Sequence, residues 1–147
     1  MASEIVVGFI GLGTMGGKMA TNILKAGYKL VVHDLHRQSA GHHLQAGAEW
    51  ADTPRALAER SDVIFTSLPE PVDVERVALG ADGLIEGVKS GAAYFDLSTN
   101  SQSTVKKNSR GLCRQARAHA RCARQRRSVG CGVAQDGDLG RRRQRGL

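Results

Sequence analysis

The stretch Ile5-Val6-Val7-Gly8-Phe9-Ile10-Gly11-Leu12-Gly13-Thr14-Met15-Gly16 constrains this chain more than any other. An apolar run of strand length ends in three glycines spaced G-x-G-x-x-G, and a helical periodicity begins inside them. Met15, Met19 and Ile23 recur every four residues with Ala20 and Leu24 beside them, and Gly27 is placed to stop the helix. A strand that turns directly into a helix needs Gly11 for the tight turn and Gly16 for close helix–strand packing. Gly13 has a different use, since it lets the backbone approach a pyrophosphate with no side chain in the way. The unpaired N–H groups at the helix start, aided by the helix dipole, attract phosphate.

The alternation continues along the chain. Leu30-Val31-Val32 reads as a second strand, residues 38–46 as a helix closed by Gly47, and Thr53-Pro54 as a cap and first position of another helix. Val63-Ile64-Phe65-Thr66-Ser67-Leu68 is a buried strand ended by Pro69. Residues 71–79 follow as a weakly patterned helix, Ala92-Ala93-Tyr94-Phe95-Asp96-Leu97 as a strand, and Ser101 as a helix cap. Strands alternating with helices predict an α/β fold, a Rossmann-type doubly wound parallel sheet covered on both faces.

The second strand ends at Asp34, 23 residues after Gly11. A carboxylate there accepts the hydroxyls of an adenosine ribose and favours NAD over NADP. His36 and Arg37 follow at once, and either could pair with a 2′-phosphate, which leaves NADP open; Arg37 also reads as a solvated helix-start charge. His42, His43 and Trp50 read as surface or packing residues rather than ligands.

Phe9-Ile10-Gly11-Leu12-Gly13-Thr14-Met15-Gly16-Gly17-Lys18-Met19-Ala20-Thr21-Asn22-Ile23 resembles the signature of the β-hydroxyacid dehydrogenases, the group of 3-hydroxyisobutyrate dehydrogenase. Asp62-Val63-Ile64, Leu68-Pro69 and Asp96-Leu97-Ser98-Thr99 follow in the family's order, so the resemblance covers residues 4 to about 107. It implies an oxidoreductase that moves a hydride between a nicotinamide cofactor and a small β-hydroxyacid or semialdehyde. It implies that Gly11, Leu12, Gly13, Thr14, Met15, Gly16, Asp34, Leu68, Pro69, Asp73 and Thr99 hold the cofactor, with Ser98 by the substrate carboxylate. Gln102 stands where the family usually has proline. The intact family protein is expected to be a homo-oligomer. Imine reductases and 6-phosphogluconate dehydrogenases share this cofactor domain and stay open as relatives.

Residues 108–147 read differently. They hold 11 arginines and 2 aspartates, a net +9, whereas residues 1–107 carry 10 basic and 12 acidic side chains, a net −2. They contain no Ile, Phe, Tyr, Trp, Met, Pro, Lys or Glu, and their few large apolar side chains predict a disordered basic tail. The domain division expected is therefore a partial dinucleotide-binding domain over 1–107 and a tail over 108–147. Because the positive charge belongs to the tail, it argues little for a nucleic-acid partner; a tail that binds nucleic acid through its arginines is the second reading, with no aromatic residue for base stacking. Cys113, Cys122 and Cys131 lie nine apart with no C-x-x-C pair, so neither a metal site nor a disulfide is expected. No run approaches the roughly 20 apolar residues of a membrane span. Nothing resembles an export signal, and the expectation is a cytoplasmic protein without a membrane partner.

Where this tail stands, the family has a motif like DAPVSGG that holds the substrate, then a helical domain bearing a catalytic lysine. Neither is present, and no lysine of this chain matches that position. The tail itself suggests why. Ala120–Ser128 back-translates as GCN CGN TGY GCN CGN CAR CGN CGN AGY, which one base later allows Leu-Asp-Ala-Pro-Val-Ser-Gly-Gly. The same shift over Gln135–Leu139 allows Lys-Thr-Gly-Thr-Leu, and from Asn108 it allows Ile-Ala and then a Phe-Ala-x-Lys run. A single inserted base near the A-rich codons of Lys106-Lys107-Asn108 accounts for all three. The expected product is a truncated domain with an intact cofactor cradle, a missing sixth strand, an exposed sheet edge and negligible turnover.

Overall fold

A computed structural model of the chain describes residues 4–100 and 102–122. Five parallel strands, β1 (Val6–Ile10), β2 (Lys29–His33), β3 (Glu49–Trp50), β4 (Val63–Thr66) and β5 (Ala93–Asp96), form one sheet in the order β3-β2-β1-β4-β5. The chain runs outward from β1 to β3, then returns to β1's other side, so the order reverses between β1 and β4. This is the doubly wound Rossmann arrangement, and its ligand crevice lies at that reversal, beyond the carboxyl ends of the strands. Ile10 is in register with both His33 and Thr66, and Thr66 with Asp96, so four strand ends meet along one rim.

Both faces of the sheet are covered, as period-two alternation requires. Val7, Phe9, Leu30 and Val32 point to the face covered by α1 (Thr14–Lys25) and α2 (Gly41–Gln45). Ile10, Val31 and Ile64 point to the opposite face, packing with Leu57 of α3 (Pro54–Arg60), Ala78 of α4 (Pro71–Leu79), Leu84 of α5 (Leu84–Gly87) and Leu112 of α6 (Gln102–Cys122). Gly8 explains how α3 sits so close: a Cβ there would overlap the Leu57 side chain. The chain enters β4 through Asp62, whose carboxylate accepts the Val6 N–H at 2.9 Å and pairs with Lys89 Nζ at 2.7 Å. The Lys89 hydrogen bond and the Val6 N–H hold that carboxyl below its ordinary range.

Local signals placed most elements. Thr53 caps α3 by accepting the Ala56 N–H at 3.1 Å, with Pro54 at the first helical position. Gly27 and Gly47 follow α1 and α2 with φ of +85° and +100°, the left-handed backbone a helix stop favours. The helix expected over 38–46 is divided: a 3₁₀ turn over Arg37–Ala40 precedes α2. α6 crosses residue 107, where the domain boundary was expected, and continues to Cys122. Asn108 and Leu112, one helical turn apart, are buried, and Gly111 fits against Leu79. Asn108 and Leu112 are four residues apart and so share a helix face, which composition does not register. Ser101, expected as a cap, and residues 123–147 lie outside the described residues. Among the described residues no helix is long and apolar enough to cross a membrane, and no cluster of metal-ligating side chains occurs.

Candidate functional site

The crevice at the β1/β4 reversal opens into a cavity of about 530 Å³, within the range of small-molecule sites. Its floor is the turn from β1 into α1. Gly11 takes φ +92°, and a Cβ there would overlap the Ser67 carbonyl oxygen of the neighbouring loop. A Cβ on Gly16 would overlap the Gly11 carbonyl oxygen. Gly13 is unlike both: its φ of −66° suits any residue, and a Cβ there would meet nothing within 4 Å. Packing within the protein therefore requires glycine at Gly11 and Gly16 but not at Gly13, although Gly13 lines the cavity.

Gly13 is also the N-cap of α1, and no side chain caps that helix. Its first turn carries no acidic residue either. In contrast to the Thr53-capped α3, the start of α1 keeps its backbone donors and the positive end of its dipole toward the cavity. From behind, His43 fastens this helix: its buried ring Nε2 lies 2.9 Å from the Gly17 carbonyl oxygen and 3.3 Å from Thr21 Oγ1. His43 is thus a packing residue.

Asp34 stands at one end of the cavity, just past β2. Its Oδ2 accepts the Leu12 N–H at 2.8 Å and its Oδ1 accepts the His36 N–H at 2.9 Å. Those bonds fix the carboxylate, and each oxygen keeps a second acceptor direction. Arg37 does not line the cavity, its guanidinium lying 5.5 Å over the Trp50 ring. The opposite wall comprises Ser67, Leu68 and Pro69 after β4, and Asp73, Arg76 and Val77 on α4.

Of the residues expected to hold a cofactor, Gly11, Gly13, Thr14, Met15, Gly16, Asp34, Leu68, Pro69 and Asp73 come together around this cavity. Three expected site residues do not line it. Leu12 buries its side chain in the core and contributes only its N–H, to Asp34. Thr99 is exposed beyond β5. Ser98 is half-buried, and its Oγ accepts the Leu68 N–H at 2.9 Å. Leu35, Arg76 and Val77 were not anticipated. The periodic signal for the last two was available, since 73, 76 and 77 are spaced to share a helix face. Leu35 is 86% exposed, an apolar side chain presented at the cavity wall.

A polar corner lies beyond, at the ends of β4 and β5. Asp96 Oδ1 accepts from Thr66 Oγ1 and from the Ser98 N–H, each at 3.0 Å, and Asp96 Oδ2 accepts from Asn100 Nδ2. Tyr94 Oη lies 3.0 Å from Thr66 Oγ1. Burial pushes the Tyr94 phenol well above its ordinary range, so it stays a protonated donor.

Comparison with known proteins agrees with this geometry. An oxidoreductase of Bacillus subtilis, YkwC, is 44% identical over 101 residues, covering 69% of this chain and 35% of that protein. The mitochondrial 3-hydroxyisobutyrate dehydrogenase of Mus musculus is 41% identical over 106 residues, covering 72% and 32% respectively. This chain thus spans about one third of the length of the curated relatives it matches. Among solved structures, Psf3 in complex with NADP+ and 2-OPP superposes with a TM-score of 0.70 at 30% identity, over 75% of this chain and 39% of that one. The family model for the NAD binding domain of 6-phosphogluconate dehydrogenase matches residues 6–133. With the strand order, the glycine turn and the uncapped helix start all in place, this chain belongs to that NAD-binding family.

Proposed function

We propose that this chain is the NAD-holding part of an oxidoreductase whose intact form moves a hydride to or from a small β-hydroxyacid or its semialdehyde. The observation that carries the reading is Gly13, a glycine in the cavity floor that the protein's own packing does not require. The pyrophosphate would lie against Gly13 and the first N–H groups of α1, with Asp34 receiving the adenosine ribose hydroxyls. Leu68, Pro69 and Asp73 would form the facing wall. Bound nicotinamide supplies the hydride donor or acceptor. Thr99 would sit by the nicotinamide and Ser98 by the substrate: the Ser98 oxygen accepts from Leu68, so its own O–H can be directed to a carboxylate. The hydroxyacid class rests on relatives such as the mouse 3-hydroxyisobutyrate dehydrogenase.

Asp34 favours NAD over NADP, because a 2′-phosphate would sit beside a fixed carboxylate while Arg37 is engaged on Trp50, leaving only His36 of the two basic candidates at the cavity. Asp34→Ala is expected to weaken NADH about tenfold, by loss of hydrogen bonds to a charged acceptor, and to leave NADPH no weaker. Parallel titrations of both reduced cofactors check this. Equal losses for the two would show that Asp34 only holds the loop.

For residues from about 108 onward we propose out-of-frame translation of a gene whose proper frame continues the dehydrogenase. Its support is the three family-like segments that degenerate codons allow in register after one shift, and the abrupt change from net −2 to net +9. In that account the substrate-holding Ser-Gly-Gly and the proton-transferring lysine belong to the restored frame, and the chain as translated binds cofactor without turnover. Sequencing the gene across Lys106–Ser128 decides it. The expected codons spell Leu-Asp-Ala-Pro-Val-Ser-Gly-Gly one base later, and codons that spell anything else overturn it.

A further inference from the structure

The corner at the ends of β4 and β5 is a directed relay. Asp96 can only accept, so Thr66 donates its single proton there and receives one from Tyr94. Asp96 passes the restraint to the Ser98 N–H at 3.0 Å, and Ser98 Oγ passes it to the Leu68 N–H at 2.9 Å. Leu68 is a wall of the cavity. Thr66 itself is fully buried, absent from the cavity lining, and therefore unable to touch a ligand.

The relay acts on one side of the crevice only. A doubly wound sheet receives a dinucleotide across the reversal point, one mononucleotide on each side. Asp34, past β2, marks the adenosine side, so the second mononucleotide lies toward β4 and β5. We propose that Thr66 is a positioning residue, whose hydroxyl acts through Asp96 and Ser98 to set the Leu68 wall against the nicotinamide half of the dinucleotide. This rests on the reading of the cavity as an NAD site.

The test compares NADH with ADP-ribose, which lacks the nicotinamide, on the full chain and on Thr66→Val and Thr66→Ser, with melting curves for each. Thr66→Val keeps the shape and removes the hydroxyl. It is expected to bind NADH about tenfold more weakly, the cost of a broken buried hydrogen bond, and ADP-ribose within about twofold of the parent. Thr66→Ser, which keeps the hydroxyl, restores NADH binding. Ser98→Ala breaks the relay nearer the surface and gives the same NADH-only loss, which keeps the test valid should Thr66→Val fail to fold. Equal losses for both ligands, no loss for either, or a Thr66→Ser that behaves like Thr66→Val would overturn the proposal. A parent chain that is folded but binds neither ligand overturns the NAD reading itself, and this proposal with it.

Discussion

Gly13→Ala leaves the melting temperature nearly unchanged and removes most of the affinity for NADH. The new methyl meets no protein atom within 4 Å, and the backbone at φ −66° needs no adjustment. Two small effects on stability oppose each other. Alanine is a poorer N-cap than glycine by a few tenths of a kcal/mol to about 1 kcal/mol, and it lowers the entropy of the unfolded chain by about 0.4–1 kcal/mol. On the ligand side nothing offsets the change. The methyl stands in the cavity floor where the helix N–H groups must approach a pyrophosphate, and holding the phosphates farther away is expected to cost about 2 kcal/mol, roughly a thirtyfold loss. A melting curve and an NADH titration on one sample check both halves. Unchanged NADH affinity would mean that no phosphate approaches Gly13.

Gly16→Ala does the reverse, damaging the fold first. Its Cβ would overlap the Gly11 carbonyl oxygen and lie 3.1 Å from the Gly11 carbonyl carbon and 3.2 Å from Phe9 Cε1. Side chains can swing away from such a contact, but a carbonyl fixed in a turn cannot. Gly11 has no room to yield either, being held at φ +92° against the Ser67 backbone. Relief requires α1 to lift from β1, breaking the packing of Ala20, Phe9 and Val7. Overpacking against rigid neighbours is expected to cost about 3 kcal/mol. For a domain of this size that lowers the melting temperature by roughly 10–20 °C, and NADH binding falls as a consequence. A Gly16→Ala protein that melts with the parent would show that the turn is looser than its contacts indicate. The separate roles expected of the three glycines have a geometric basis here: a Cβ would overlap backbone at Gly11 and Gly16 and meets open space at Gly13.

Those glycine roles were legible in the sequence, as was the element that carries them. The strand–turn–helix of residues 5–26 was legible because its signals are local: an apolar run, glycine spacing and four-residue periodicity. Asp34 was legible for the same reason, as a carboxylate at the end of the next strand. β3 has two residues and α5 four, too few to show any period. Gly8 did carry a signal, since a glycine inside a strand often marks a close backbone approach, here of α3. Arg76, Val77 and Leu35 become a wall only when α4 and the end of β2 face each other across the crevice, a tertiary fact. The Thr66–Asp96–Ser98–Leu68 relay joins residues up to 30 positions apart, held in register by β4 and β5. In α6, Asn108 and Leu112 are in phase to pack although their neighbourhood is rich in arginine, a pairing that composition does not register.

The most direct test of the account is a fluorescence titration of the purified chain with NADH, alongside circular dichroism to establish that it is folded. One saturable site per chain is expected, from which ADP-ribose displaces the cofactor. A folded chain that shows no saturable NADH binding up to about 1 mM, an affinity weaker than about 4 kcal/mol, would contradict it.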